Sequence, residues 1–162
     1  TTLFRSDGDE PFLVHNADIL SDISLAEFYR HHRESDAEAT LLVSRRQTSR
    51  YLLLDDANRL HGWINKSTGE TKPEGFSFRE GRYKEMAFGG IHVISPSLFR
   101  YMERGQWKEK FSIIPFYLSV CETARIQGYP LQDRCWFDIG KPETLAKAEA
   151  YYSSDRQASS SF

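Results

Sequence analysis

Near its N-terminus the sequence reads Pro11-Phe12-Leu13-Val14-His15-Asn16-Ala17-Asp18. An apolar run of this length, bounded by polar turn residues, predicts a short buried strand that ends at about residue 15. A helix should follow from about residue 24 to residue 34, because Ser24 and Glu27 have the spacing of a capping box and can bind free backbone N–H groups. A strand followed by a helix is the first unit of an α/β pattern.

The same alternation continues along the chain. Short β-prone or apolar runs predict further strands at 39–43, 50–54, 60–64, 87–94 and 135–137, and the second and third of these should form a hairpin. Apolar spacing predicts helices at 97–103, 113–126 and 140–152. Strands interleaved with helices predict an α/β fold with a mixed, mainly parallel sheet flanked by helices, to which the hairpin adds antiparallel pairing. Residues 66–82 predict a surface excursion that is a candidate substrate loop.

Composition narrows the class of protein. The chain has 162 residues, 40% of them hydrophobic and 27% charged, with a formal charge of -2. That length suits one domain, and the charge offers no positive excess for a nucleic acid partner. No apolar run is long enough to cross a membrane, and no secretion signal is visible, so we expect a cytoplasmic protein. Cys121 and Cys135 lack zinc-site spacing and should pack in the core.

Two aspartates stand where predicted strands end. Asp18 follows the first strand, and Asp138 follows Trp136-Phe137 and precedes a helix. Ligands of open α/β sheets collect at the carboxyl ends of strands, and Mg2+ prefers one or two carboxylates together with phosphate oxygens. The two side chains could therefore share one Mg2+ ion. The alternative for each aspartate is a turn residue or a helix cap.

Four short motifs occur in one order along the chain. They are Pro11 to Asp18, Leu60-His61-Gly62-Trp63, Phe88-Gly89-Gly90-Ile91-His92-Val93-Ile94-Ser95-Pro96, and Trp136-Phe137-Asp138-Ile139-Gly140-Lys141-Pro142-Glu143-Thr144-Leu145. In these motifs the sequence resembles the GT-A-like, Rossmann-like sugar-1-phosphate nucleotidyltransferases, close to mannose-1-phosphate guanylyltransferase-like and muramate-1-phosphate uridylyltransferase-like proteins. The resemblance covers about residues 11 to 149.

The resemblance implies a reaction and a set of site residues. A nucleotidyl group would pass from a nucleoside triphosphate to a sugar 1-phosphate, with release of pyrophosphate. Asp18 and Asp138 would be catalytic and would hold Mg2+. The substrate would be bound by Asn16, Lys66, Gly89, Gly90 and His92, with the two glycines against the sugar and Lys66 near its phosphate. His92 alternates with apolar neighbours, so its side chain is expected to face the cleft.

Departures from the family pattern set further expectations. The glycine-rich loop that holds the triphosphate should precede Pro11 by many tens of residues, and the chain opens at Thr1. We therefore expect residues 1–152 to be the C-terminal part of a catalytic domain, inactive alone, and residues 153–162 to be a flexible tail. The exposed sheet edge should pair with the missing N-terminal segment or with a second copy in a homo-oligomer. Ala17 replaces the usual glycine, and Asn65-Lys66 replaces the usual acidic-lysine pair.

Two other functions remain open at this stage. A non-catalytic regulatory subunit that binds a sugar or a nucleotide could keep this fold without the triphosphate loop. A GT-A-type glycosyltransferase would share the architecture but normally carries a compact Asp-x-Asp motif. Here Asp18 is followed by Asp22, which is too far along the chain to match that spacing.

Overall fold

The computed structural model describes residues 8–103, 107, 111–132, 134–140 and 142–159. A mixed sheet with helices on both faces confirms the α/β class. Its seven strands are β1 (Phe12–His15), β3 (Ala39–Ser44), β4 (Arg50–Leu54), β5 (Leu60–Asn65), β6 (Thr71–Lys72), β7 (Lys84–Ile94) and β8 (Ile126–Pro130). A separate ladder joins β2 (Ile19–Ser21) to β9 (Trp136–Asp138). The helices are α1 (Leu25–Glu34), α2 (Phe99–Met102), α3 (Ile113–Val120) and α4 (Pro142–Ser159), with a 3-10 turn at Pro96–Leu98 before α2.

The direction of the strands corrects the sequence-based expectation of a mainly parallel sheet. The strand order is β6-β5-β4-β7-β3-β8, and among the described strands only β3 and β8 pair in parallel. Strands β4 to β7 follow one another without an intervening helix, so each must return antiparallel to its neighbour. The β4–β5 hairpin is present as predicted.

Strand β7 is the centre of the sheet. Its first half pairs with β4, and its second half, residues 91–94, pairs with β1 on the same side. Strand β3 follows the opposite side of β7. Within the described residues no strand pairs with the other edge of β1.

Helices cover both faces of the sheet. Helix α1 begins after Ser24, whose hydroxyl accepts a 3.2 Å hydrogen bond from the Glu27 N–H, as the capping box predicts. Its Phe28 is fully buried against apolar side chains of β3 and β7. On the opposite face, Phe116 and Tyr117 of α3 are fully buried in the larger core cluster. The sheet is therefore the middle layer of three.

Three strands escape the sequence analysis, and one of them is β6, which lies within the expected surface excursion at residues 66–82. Helix α3 ends at Val120 rather than at residue 126. A turn follows, and β8 then begins at Ile126 and pairs in parallel with β3. Strand β2 is three residues long and exists through its pairing with β9. Helix α4 begins at Pro142 and continues to Ser159, past residue 152, where the sequence suggested a flexible tail. None of the described helices has the length and the apolar character needed to cross a bilayer.

Candidate functional site

The β2–β9 ladder brings two aspartates together. Asp18 directly precedes β2, and Asp138 is the last residue of β9. In the antiparallel register Ile19 lies opposite Asp138, and the Ile139 N–H donates a 2.8 Å hydrogen bond to the Asp18 carbonyl. Backbone pairing therefore sets the two carboxylates beside each other.

Gly140 leaves a small open volume between these carboxylates. A Cβ atom at this position would lie 3.2 Å from Asp138 Oδ1 and 3.7 Å from Asp18 Oδ2. The Gly140 N–H donates a 3.1 Å hydrogen bond to Asp138 Oδ1, and the Thr144 hydroxyl donates to the Asp138 carbonyl. The first bond holds the Asp138 carboxylate beside Gly140, and the second ties the Asp138 backbone to the start of α4.

The chemistry of this pair suits a hard cation. Among the described residues no group of three His, Cys, Asp or Glu side chains is arranged to hold a metal ion. Two carboxylates alone leave most coordination positions to other ligands, and Mg2+ commonly fills such positions with phosphate oxygens and water. The donor set at Asp18 and Asp138 therefore fits Mg2+ that binds together with a phosphorylated substrate.

Gly90 and Asn16 form a close backbone crossing beside the aspartates. Gly90 has φ of +73°, a conformation that favours glycine, and a Cβ there would lie 2.8 Å from Ile19 Cγ1 and 3.2 Å from Asn16 Nδ2. The Asn16 N–H donates a 2.9 Å hydrogen bond to the Gly90 carbonyl. A larger residue at position 90 would therefore push the segment from Asn16 to Ile19, which carries Asp18, away from β7.

A second cluster joins β7 to β9 and the end of β3. The Trp136 indole N–H donates a 2.8 Å hydrogen bond to the Gly89 carbonyl. The guanidinium carbon of Arg46 lies 4.5 Å from the centre of the Trp136 ring, and Arg46 Nη2 donates a 3.2 Å hydrogen bond to the Phe88 carbonyl. Partial removal from water lowers the pKa of the Arg46 guanidinium, while the negative charge of Asp138 acts in the opposite direction.

A cleft of about 600 Å³ opens next to this cluster. Its floor is one face of β4, β5 and β6, since alternate residues of a strand share a face. The start of α3 forms the opposite wall. The lining residues are Arg46, Thr48, Arg50, Leu52, Trp63, Asn65, Glu70, Lys72, Phe88, Ser112, Ile114, Pro115 and Leu118. The cleft thus combines apolar and aromatic walls with three cations and one carboxylate.

Lys66 has a protein partner. Its ammonium lies 2.8 Å from Glu85 Oε1 and 5.4 Å from the centre of the Phe78 ring. The hydrogen bond to Glu85 is the main cause that raises the pKa of the Lys66 ammonium. Lys66 follows β5 directly, but it does not line the described cleft.

His92 lies inside the core, which corrects the expectation that its side chain faces the cleft. It is 4% exposed, and its Nδ1 lies 2.6 Å from the Tyr117 hydroxyl. Burial lowers the pKa of His92 to about 4. Alternation along β7 does separate His92 from Ile91 and Val93, but the face it occupies is covered by α3.

Sequence reasoning did not single out Arg46 or Trp136 as site residues. Trp136 is half-buried, and its motif before Asp138 marks it as a residue near the site. Arg46 follows β3 within a polar stretch and carries no local signal. Only the contact with Trp136 reveals its place beside the aspartates.

Comparison with known proteins shows which proteins this chain is similar to. No model of a known protein family matches the chain. The sequence is similar to the mannose-1-phosphate guanylyltransferase catalytic subunit beta of Danio rerio, with 23% identity over 151 residues, 91% of this chain and 38% of the relative. A probable mannose-1-phosphate guanylyltransferase 3 of Arabidopsis thaliana is 23% identical over 144 residues, 88% of this chain and 40% of that protein. The chain thus spans about two fifths of the length of these relatives.

Solved structures share the fold. A putative glucose-1-phosphate thymidylyltransferase from Bacillus anthracis matches with a TM-score of 0.65 and 13% identity, over 89% of this chain and 55% of that chain. A UDP-glucose pyrophosphorylase from Acinetobacter baumanii matches with a TM-score of 0.64 and 16% identity, over 90% of this chain and 51% of that chain. The resemblance predicted from the motifs is confirmed, because this chain is similar in sequence to mannose-1-phosphate guanylyltransferases and has the fold of the sugar-1-phosphate nucleotidyltransferases.

Proposed function

We propose that the complete gene product transfers a nucleotidyl group from a nucleoside triphosphate to a sugar 1-phosphate and releases pyrophosphate. The observation that carries this proposal is the placement of Asp18 and Asp138, whose carboxylate oxygens both face the open volume at Gly140. Pairing of β2 with β9 is what holds them there. Similarity to guanylyltransferases supports the reaction class.

Asp18 and Asp138 would hold Mg2+ in this proposal. The bound ion supplies neutralisation of the charge on phosphate oxygens, the main requirement of phosphoryl and nucleotidyl transfer. A sugar 1-phosphate oxygen attacks the α-phosphorus in line with the departing pyrophosphate, so no covalent enzyme intermediate is needed. The protein's task is to position the two substrates.

The glycine pair and the cleft provide that positioning for the sugar. In this proposal the backbone of Gly89 and Gly90 lies against the sugar. Leu42 and Ile19 occupy the places where Cβ atoms of these residues would stand, at 3.0 and 2.8 Å, and Asn16 Nδ2 lies next to Gly90. We assign the cleft of about 600 Å³ to the sugar, because its volume and mixed lining suit a small polar ligand. Lys66 would reach a phosphate only after leaving Glu85, and buried His92 would support β7 through its contact with Tyr117 rather than contact the sugar.

The triphosphate site lies outside this arrangement in our proposal. Residues 1–152 would be the C-terminal part of a cytoplasmic catalytic domain, and the glycine-rich loop of the family would come from a preceding segment. Strand β1 presents an edge without a partner strand among the described residues, which is where such a segment or a second copy would pair. We therefore expect the 162-residue chain alone to be inactive.

Pyrophosphate release by the complete gene product tests the reaction. The assay would combine each nucleoside triphosphate with a panel of sugar 1-phosphates and Mg2+. Asp18→Asn and Asp138→Asn should each lower kcat by 100-fold or more, on the order of the loss seen when one charge-stabilising group is removed. Asp36→Asn is the matched control. Asp36 lies on the loop before β3, is exposed, and pairs with Arg125.

Two results would reject the proposal. One is the absence of pyrophosphate release with every substrate pair. The other is release that survives both aspartate substitutions. A protein that binds a sugar phosphate or a nucleotide without turnover would instead be a regulatory subunit, while transfer of sugar from a sugar nucleotide would indicate a glycosyltransferase.

A further inference from the structure

We propose that Arg46, rather than Lys66, binds the phosphate of the sugar 1-phosphate and positions it for the reaction. This inference rests on the proposed function and names a phosphate-binding residue for the same site. Its basis is the place of Arg46, which lines the cleft and also lies within reach of the charge of Asp138.

Arg46 is held by two neighbouring groups. Its guanidinium lies over the Trp136 ring at 4.5 Å and donates to the Phe88 carbonyl at 3.2 Å. Trp136 is itself fixed by its hydrogen bond to Gly89 and stands two residues before Asp138 in β9. The same strand therefore positions both the guanidinium and one of the two carboxylates.

The charge of Arg46 is available to a ligand. Among the described residues no carboxylate forms an ion pair with it. Lys66 differs, because its ammonium bonds to Glu85 at 2.8 Å, and Lys72 differs because it pairs with Glu70 at 3.2 Å. An arriving phosphate would need to break those pairs, whereas Arg46 meets it without losing a carboxylate partner.

The chemistry of the guanidinium suits this role. One N–H group bonds to Phe88, and the remaining N–H groups can bind two phosphate oxygens in a planar fork. An anion held by Arg46 would lie at the part of the cleft that Arg46 lines, so the sugar could extend from there along the floor of β4 and β5. Trp136 and Asp138 stand two residues apart in β9 and therefore share one face of that strand, so the phosphate would lie on the side of β9 that carries Asp138.

Kinetics of the complete gene product provide the first test. Arg46→Gln should raise KM for the sugar 1-phosphate by about 10- to 100-fold, the range for one charge-assisted contact, and leave KM for the nucleoside triphosphate unchanged. Arg46→Lys keeps the charge but loses the fork and should give a smaller rise. Arg45→Gln, at the neighbouring exposed arginine, is the matched control and should change neither constant.

Phosphate binding by the 162-residue chain provides a second test that needs no turnover. Titration with inorganic phosphate, followed by ³¹P NMR, should show binding that Arg46→Gln weakens by about 10-fold or more and Arg45→Gln does not. Unchanged phosphate affinity and unchanged KM in Arg46→Gln would overturn the inference while the reaction itself stands. An equal rise in both KM values, together with a lower midpoint of unfolding, would also overturn it, because that pattern marks a structural role.

Discussion

We predict that the free energy of unfolding decreases as the pH falls from 6.5 towards 4, because two histidines are buried in the folded protein. His32 is 1% exposed, with Nδ1 2.8 Å from the Thr40 hydroxyl and Nε2 2.9 Å from the Ser95 hydroxyl. His92 is 4% exposed and contacts Tyr117. Burial lowers the pKa of each imidazole from 6.5 to about 4, with a smaller contribution from His31 at His32.

The sign follows from proton binding. Between pH 6.5 and about 4 the unfolded chain takes up a proton at each site that the folded chain does not bind. The stability due to neutral, buried histidine is therefore complete above pH 6.5 and is lost progressively below it. At about 1.4 kcal/mol for each pH unit, the loss reaches about 3 kcal/mol for each histidine near pH 4.

Urea unfolding followed by tryptophan fluorescence at several pH values between 7.5 and 5 measures this effect. The free energy of unfolding should fall with a slope that approaches about 2.7 kcal/mol per pH unit, from two protons. His32→Asn and His92→Asn should each reduce the slope by about half, and His15→Asn, at the exposed end of β1, should leave it unchanged. Two results would refute the reasoning. One is a free energy of unfolding that stays constant from pH 7.5 to 5, and the other is an unchanged pH slope in the variant that carries both His32→Asn and His92→Asn.

Three further predictions concern close packing and thiol access. Gly128→Ala should cost about 1–3 kcal/mol in urea unfolding, because a Cβ at this position would overlap Leu54 Cδ1, and unchanged stability would contradict this packing. Gly90→Ala should lower the unfolding midpoint through its φ of +73°, and a wild-type midpoint would show that the crossing relaxes freely. A thiol reagent should label half-buried Cys135 in the native chain and reach Cys121 only on unfolding, since burial raises the pKa of Cys121 to about 11; equal labelling rates would be the opposite result.

Local patterns were enough to predict most elements of the sheet. The run before Asn16, the capping box at Ser24 and the hairpin between β4 and β5 all appear where spacing and turn residues predict them. Strand β8 was missed, because its apolar residues continue those of α3 and a short apolar run fits a helix or a strand equally well. Its pairing with β3 decided the outcome.

The candidate site, like the sheet, was predictable from the sequence only in part. Sequence motifs located Asp18, Asp138 and the glycine pair, because each stands at a recognisable strand end or within an apolar strand. The orientation of His92 could not be predicted, since alternation separates the two faces of β7 without saying which face a helix covers. Arg46 was invisible for a related reason, because its role depends on a ring contributed by β9.

By itself, then, the sequence determined most of the segments that form strands and helices and singled out Asp18 and Asp138 as candidate metal ligands, because periodicity, caps and short motifs act over a few neighbouring positions. Only the tertiary structure decided the antiparallel direction of most strands, the proximity of Asp18 to Asp138 across the β2–β9 ladder, and the position of Arg46 over the Trp136 ring. These features join residues far apart in the chain, and their geometry depends on how the whole sheet packs between its helices.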